Sequence, residues 1–388
     1  MLSKSEETVM AKPVIRPAQP SEYDELLKLV TAAFVTVDFE TNWGHAINRK
    51  HASDQHVYVE GGRLAGNFGM TPMTLIIGGV KLPGYGIGAV ATDPNCRGKG
   101  IMSAMLKHSQ DWMTEQGALV AMLGGKRSRY GRWGWEIGGQ ALNFGVSLEY
   151  LEANGYKQAS GRKKLESDAE LKKWLAISNR RGWGVVRSVE WAKMLLCRGF
   201  YSVYCTSGKT AFAFIVVNNR NKDNAVIEIG GDAKAAACLL RDQILSVPES
   251  KQVSVTHGPC CDSITEMLIK VSGWGFNVNP SWQIKIVDLY KTLKALEGYL
   301  TRRCGKLVPG KATLTMTGTK QSAHIAWGAK IVVSKKGSGP VVKLSDMEMA
   351  RLVFGTPALD EIFALKPSVT GLKHIFPIPW HIPPIDGV

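Results

Sequence analysis

Residues 93–106 read DPNCRGKGIMSAML, and the reading of this stretch decides the fold. Before it runs GYGIGAVAT (84–92), apolar enough for a buried strand. After it, apolar spacing predicts a helix over about 98–116 and then a second buried strand in ALVAMLGG (118–125). Strand, hinge, helix, strand is the order of a βαβ unit. The hinge packs Arg97, Gly98, Lys99 and Gly100 into four successive positions. The first turn of a helix has unpaired N–H groups and a partial positive charge, and glycine lets backbone come close to a ligand. Those properties suit a pyrophosphate. The stretch lacks the GxxxxGK[ST] of a Walker loop, and GKGIMS lacks the third glycine of GxGxxG. On these residues alone, a tight turn and a phosphate cradle are equally good readings.

The alternation continues on both sides. VIRPA (14–18) reads as a first strand, and SEYDELLKLVTAAF as a helix capped by Ser21 with Asp24 and Glu25 in its first turn. HVYVEGGRLAGNFGMTPMTLII (56–77) reads as a hairpin turning at Gly61-Gly62, and GQALNFGVSL (139–148) as a further strand of the same region. KKLESDAELKKWLAISNRRG (163–182) is charge-rich and marks a boundary. Beyond it come FYSVYC, AFAFIVVNN and NAVIEIGG as strands, then helix AKAAACLLRDQIL, strand QVSVTHG, helix SITEMLIKVSG and strand WQIKIVDL. This repeats the order of the first third, but its hinge reads GDAKA (231–235), without arginine. From about 291, KATLTMTG, SAHIAWGA and KIVVSKKG predict a small antiparallel sheet. LSDMEMARLVFG predicts a capped helix ended by Gly355, and PALDEIFAL a second helix. IFPIPWHIPPIDGV holds four prolines and is expected to be an extended tail lying on another part of the molecule.

Composition narrows the classes. Hydrophobic content of 45% and charged content of 21% are those of a globular chain with a sizeable core. No apolar run is long enough to span a membrane, and the polar start MLSKSEETVMAKPV reads as a frayed tail rather than a secretory signal. The seven cysteines are scattered, Cys260 and Cys261 are adjacent, and no CxxC or HxxxH spacing occurs. Free thiols, a reducing and so cytoplasmic setting, and no metal are expected. The net charge of +15 divides into +1 over 1–150, +6 over 151–290 and +8 over 291–388. A basic surface of this size attracts anions, but no nucleic-acid-binding signature accompanies it, so a solvated face is the expectation.

Strand GIGAVAT, hinge DPNCRGKGIMSAML and strand ALVAMLGG together resemble the acetyl-CoA-binding segment of the GNAT acyltransferase superfamily, whose pattern is R/Q-x-x-G-x-G/A. Arg97 and Gly100 match, and Met102 stands where Gly or Ala is usual. That departure resembles the Eis-like branch. SRYGRWGWEIGG (128–139) is similar to the Eis-like segment that bears a catalytic tyrosine, here Tyr130. The resemblance implies an α/β (α+β) architecture of tandem GNAT-type domains with mixed central sheets. It implies a catalytic domain over 1–150 with the acetyl-CoA site, a degenerate domain over 151–290, and a smaller sterol-carrier-like domain over 291–388 whose tail returns to the active site.

The implied activity is acetyl-CoA-dependent N-acetyl transfer to a primary amine such as an aminoglycoside, a polyamine or lysine. The resemblance assigns the cofactor to Val90, Ala91, Thr92, Arg97, Gly98, Lys99, Gly100, Ile101 and Met102, with the Val90 N–H facing the oxyanion. It assigns the acid to Tyr130 and the base to the carboxylate of Val388. A phenol of pKa about 10 stays protonated at neutral pH and matches a thiol leaving group of about 8.5. In VTVDFETNWGH (35–45), Asp38 and Glu40 suit a cationic amine and Trp43 suits stacking on it; as loop surface they do neither. The resemblance also implies a homo-oligomer, trimer or hexamer, with no membrane span. The competing reading is a non-catalytic acyl-CoA or lipid-binding protein that uses the sterol-carrier-like domain.

Overall fold

The computed structural model describes residues 12–34, 38–207, 211–220, 225–356 and 369–388. The expected frayed start over 1–11 and the helix expected in PALDEIFAL lie outside the described residues. The chain divides into two compact units: residues 1–71, 87–112 and 388, and residues 72–86 with 113–387.

The first unit starts with β1 (Val14–Pro17), a 3-10 turn (Pro20–Glu22) and α1 (Tyr23–Ala33). The capping box falls on Gln19 and Glu22 instead of Ser21, because the 3-10 turn moves the helix start. Next come α2 (Phe39–Trp43), β2 (Gln55–Glu60), β3 (Arg63–Ile77), β4 (Val80–Thr92) and α3 (Ile101–Glu115), of which residues 72–77, 80–86 and 113–115 belong to the second unit. β1 and β2 pair antiparallel, as do β2 and β3 around Gly61-Gly62, whose φ of 58° and 76° a side chain would resist.

The second unit continues with β5 (Val120–Leu123), α4 (Arg127–Tyr130), β6 (Glu136–Gly138), β7 (Ala141–Ser147) and α5 (Leu148–Ala153). Then follow β8 (Lys163–Lys164), α6 (Asp168–Ser178), β9 (Trp183–Val185), α7 (Val189–Leu196), β10 (Tyr201–Cys205), β11 (Ala213–Asn218) and β12 (Val226–Gly231). After these come α8 (Ala233–Leu245), β13 (Gln252–His257), α9 (Ser263–Val271), β14 (Ser272–Asn279) and β15 (Trp282–Ile286). The last stretch is α10 (Leu289–Cys304), β16 (Gly310–Met316), β17 (Ser322–Trp327), β18 (Val332–Ser334), β19 (Val341–Leu344), α11 (Asp346–Phe354) and α12 (Leu372–Ile375).

A mixed sheet of this unit runs β14-β7-β13-β12-β11-β10-β8, with β12 and β13 parallel. Strand β11 shows why it forms: Ala213, Ile215 and Val217 face one apolar cluster with α8 and α9, and Phe214 and Val216 face another with Trp174 and Leu195. Both faces are covered, so the strand reads as one apolar run. Strand pairing crosses the boundary drawn at residue 150. β7 lies between β14 and β13, while β15 pairs with β5 and β6. Apolar alternation marks β7 and β15 as strands but does not name their partners. KATLTMTG, SAHIAWGA and KIVVSKKG form the expected antiparallel sheet as β16, β17 and β18, and a fourth strand that was not expected, β19, joins it parallel to β16. The chain crosses from β18 back to the free edge of β16 and so arrives in β16's own direction.

Candidate functional site

The hinge joins β4 to α3. Asp93 opens it: its carboxylate accepts from Asn95 N–H at 2.8 Å, fixing the turn Pro94–Cys96. Gly98 and Gly100 then take φ of 83° and 78°. Nothing lies within 4 Å of where a Cβ would stand on either. Their freedom is therefore spent on backbone shape beneath open space. Arg97 and Lys99 are exposed, and Lys99 Nζ reaches Glu60 at 3.5 Å. Ile101 is buried and Met102 half-buried at the start of α3. A row of backbone N–H groups and two cations thus faces solvent at the head of a four-turn helix, a fit for a pyrophosphate.

Upstream, β4 carries a strained residue. Ala89 has φ 48°, in the left-handed region that a side chain disfavours. The surroundings hold it there: Asn67 Nδ2 donates to Ala89 O at 2.9 Å and to Gln55 Oε1 at 3.0 Å, and Gln55 Nε2 donates to Ala46 O at 3.0 Å. Gln55 and Asn67 are both buried. Beyond the kink, Val90 and Thr92 are half-buried and Ala91 is buried.

Val388 lies beside this kink. Its backbone C and O sit so close to Gly88 that a Cβ there would overlap them. Phe39, Trp43, Gln55, Thr71, Ala89 and Val388 line a narrow recess of about 10 Å³, room for about one water. The structure therefore brings Trp43 and Val388 together, and it adds Gln55, Asn67 and Thr71, which sequence reasoning missed. Their only signal was polar residues inside otherwise apolar strands. Asp38 caps α2, accepting from Thr41 N–H at 3.0 Å, and this hydrogen bonding holds its carboxyl below the ordinary range. Glu40 is exposed on the same helix and does not line the recess.

The tail that ends in Val388 is threaded through the second unit. Trp380 Nε1 donates to Phe354 O at 2.9 Å, and Trp282 Nε1 donates to Ile382 O at 2.9 Å. Arg187 is buried. Its guanidinium reaches Asp386 at 2.9 and 2.6 Å and Glu228 at 2.9 and 2.7 Å. Arg198 donates to Ile385 O and, at 3.1 Å, to Gly387 O. Burial opposes these charges, but the two carboxylates keep Arg187 protonated, and Arg181 with Arg187 lowers Glu228 against its own burial. Removing one member would leave buried charge unpaired, so the network holds the last residues in one place.

Tyr130 ends α4 in the second unit. It is buried, and burial raises its pKa while Arg129 pulls the other way, so its phenol carries a proton at neutral pH. Gly125 faces the ring: a Cβ there would stand 3.2 Å from it. The helix is anchored by Arg127, which chelates Glu136 at 2.5 and 2.8 Å; Arg351 also binds that carboxylate.

Residues 14–138 match the acetyltransferase (GNAT) domain family. No curated protein matches the chain. Among solved structures, it is similar to a GCN5-related N-acetyltransferase from Kribbella flavida, with TM-score 0.74 and 16% identity, covering 97% of this chain and 100% of that one. It is similar to another from Anabaena variabilis, with TM-score 0.70 and 18% identity over 96% and 100%. It is also similar to Eis1 from Mycobacterium abscessus, with TM-score 0.66 and 14% identity over 95% and 99%. The likeness in fold extends over nearly the whole chain. Residues 14–138 thus carry an acetyltransferase (GNAT) domain, and the likeness to the solved structures is one of fold.

Proposed function

We propose that this protein transfers the acetyl group of acetyl-CoA to a primary amine, of aminoglycoside, polyamine or lysine type. The nucleophilic nitrogen attacks the thioester carbonyl carbon, the C–S bond breaks, and the sulfur leaves as thiolate. The Val388 carboxylate takes the proton that the amine must lose, the Val90 N–H faces the oxyanion, and Tyr130 gives its proton to the thiolate. Arg97, Lys99 and the backbone from Gly98 to Met102 hold the pyrophosphate, with Ala91 and Thr92 along the pantetheine. Trp43 supplies a stacking face, and Asp38 and Glu40 attract the cationic acceptor. The observation that carries this reading is the terminal carboxyl of Val388, set against Gly88 in the recess lined by Trp43. Residues 291–388 then serve as a sterol-carrier-like domain that delivers the tail, and the chain works as a trimer or hexamer.

The test is an amine panel assayed by thiol release from CoA, run on the native chain and two variants. Tyr130→Phe is expected to lower kcat by about 10²–10⁴ while leaving the KM for acetyl-CoA within about twofold. Loss of Val388 is expected to lower kcat comparably. Unchanged turnover in the first removes Tyr130 as the acid, and in the second removes the carboxylate as the base.

A further inference from the structure

The second unit has its own strand–helix hinge and its own strand ends beside it, and there a different chemistry collects. His257 ends β13, Asp262 caps α9, and Cys260 lies in the loop between them. Cys260 Sγ stands 3.4 Å from His257 Nε2 and 3.3 Å from Asp262 Oδ2. His257 Nε2 is 3.4 Å from Asp262 Oδ1. One donor atom from each residue lies within 4.8 Å of the other two.

We propose that His257, Cys260 and Asp262 form a zinc-binding site. A tetrahedral zinc ion with bonds of about 2.3 Å to sulfur and about 2.0 Å to nitrogen and oxygen sets its ligands about 3.3–3.6 Å apart. The sulfur's two distances here match that spacing. One cation at the centre of the three would be held by imidazole, thiolate and carboxylate together. The Cys260 S–H bond breaks, its proton leaves to solvent, and an S–Zn bond forms. Imidazole, thiolate and carboxylate are a donor set that zinc accepts.

The surroundings are those of a built site. Trp183 Nε1 donates to Cys260 Sγ at 3.3 Å, a hydrogen bond that supports a thiolate. The same indole meets the His257 ring edge-on at 5.3 Å, which fixes the imidazole plane. Asp262 Oδ1 accepts from Thr265 N–H at 2.8 Å, leaving Oδ2 turned to the sulfur. His257 is buried, and its Nδ1 has no hydrogen-bond partner among the described residues. His257 and Asp262 also line a cavity of about 350 Å³ with Gly231, Asp232 and Arg181. Arg181 is ion-paired to Glu228, which offsets its charge. The cavity leaves the fourth zinc position to water or a small anion, the pattern of zinc sites with an open ligand place.

The test uses the full chain, stripped with a chelator and titrated with zinc chloride. One zinc per chain is expected. Cys260→Ala and His257→Asn should each weaken binding by at least about tenfold, and Cys261→Ala should not. Cobalt(II) should give a near-ultraviolet thiolate band in the native chain and in Cys261→Ala but not in Cys260→Ala. As a measurement that needs no variant, zinc should slow alkylation of Cys260 in the native protein, read by peptide mass spectrometry. The proposal is overturned if no zinc is retained, if Cys260→Ala binds like the native chain, or if Cys260 alkylates equally fast with and without zinc.

Discussion

The two strand–helix hinges of this molecule share a topology and differ in what they leave open. At 97–100 the glycines stand beneath empty space, with Arg97 and Lys99 exposed beside them. At 231–235 the space is filled: a Cβ on Gly231 would overlap the carbonyl of Phe212. The head of α8 is already occupied, because Asp232 accepts from Ala235 N–H at 2.8 Å. A carboxylate of the chain's own sits where an anion would bind. After the next strand the regions diverge again, to Tyr130 on α4 in one and to His257, Cys260 and Asp262 in the other. The lesson is that the fold does not require cations at this turn, which is why Arg97 and Lys99 enter the proposal as ligand-binding residues.

The largest expected effect sharpens the contrast by pH. His56 and His108 share a hydrogen bond of 2.8 Å behind the first hinge, the latter on α3. Burial, helped by the charge of His108, lowers His56 from 6.5 to about 4. The unfolded chain therefore binds the extra proton between those values. Stability is complete above pH 6.5 and falls as pH drops toward 4, by up to about 3 kcal/mol. Hydrogen exchange should show α3 losing protection in acid before α8. Equal loss in both helices would remove the His56 pair as the cause.

Gly88→Ala tests the tail directly. The new Cβ overlaps the backbone C and O of Val388, and if Val388 is the base proposed above, a displacement of about 1 Å is expected to lower turnover by about a hundredfold. Gly145→Ala on β7 is the control, because nothing lies within 4 Å of its Cβ position. Unchanged turnover in Gly88→Ala would mean the carboxyl group does not act from this position.

A smaller effect compares the hinges themselves. Arg97→Ala should raise the KM for acetyl-CoA by about tenfold through one lost charge-assisted contact. Lys234→Ala, an exposed cation at the second hinge, should leave it unchanged. Steady-state kinetics on both variants decide. Equal shifts would show that general surface charge, not the hinge, attracts the substrate.

Much of this contrast was legible in the sequence, for a physical reason. Hinges, turns and helix heads are set by neighbours along the chain, so RGKG, Gly61-Gly62 and the capped α11 can be read locally. What escaped was set by distant residues. The exchange of β7 and β15 depends on partner choice, and alternation says nothing about that. Arg187 finds Asp386 across 199 positions. The buried amides of Gln55 and Asn67 support a kink that only the folded strand reveals. The His257, Cys260 and Asp262 cluster was missed because a search for HxxxH and CxxC assumes helical or knuckle ligands. Here a strand end, a loop and a helix cap converge instead.

The last and smallest prediction separates the two things that Asp232 supplies. As a cap it satisfies one backbone N–H, and as an anion it opposes the positive end of α8. Asp232→Ala removes both and should lower stability by about 1 kcal/mol in urea unfolding. Asp232→Asn keeps the hydrogen bond and removes the charge, so it should recover most of the loss, leaving about 0.3 kcal/mol. Neither should change the KM for acetyl-CoA. If Asn behaves like Ala, the charge is what holds this helix head. The second hinge would then be an anion site satisfied from within, the same physics as at 97–100 with the ligand built into the chain.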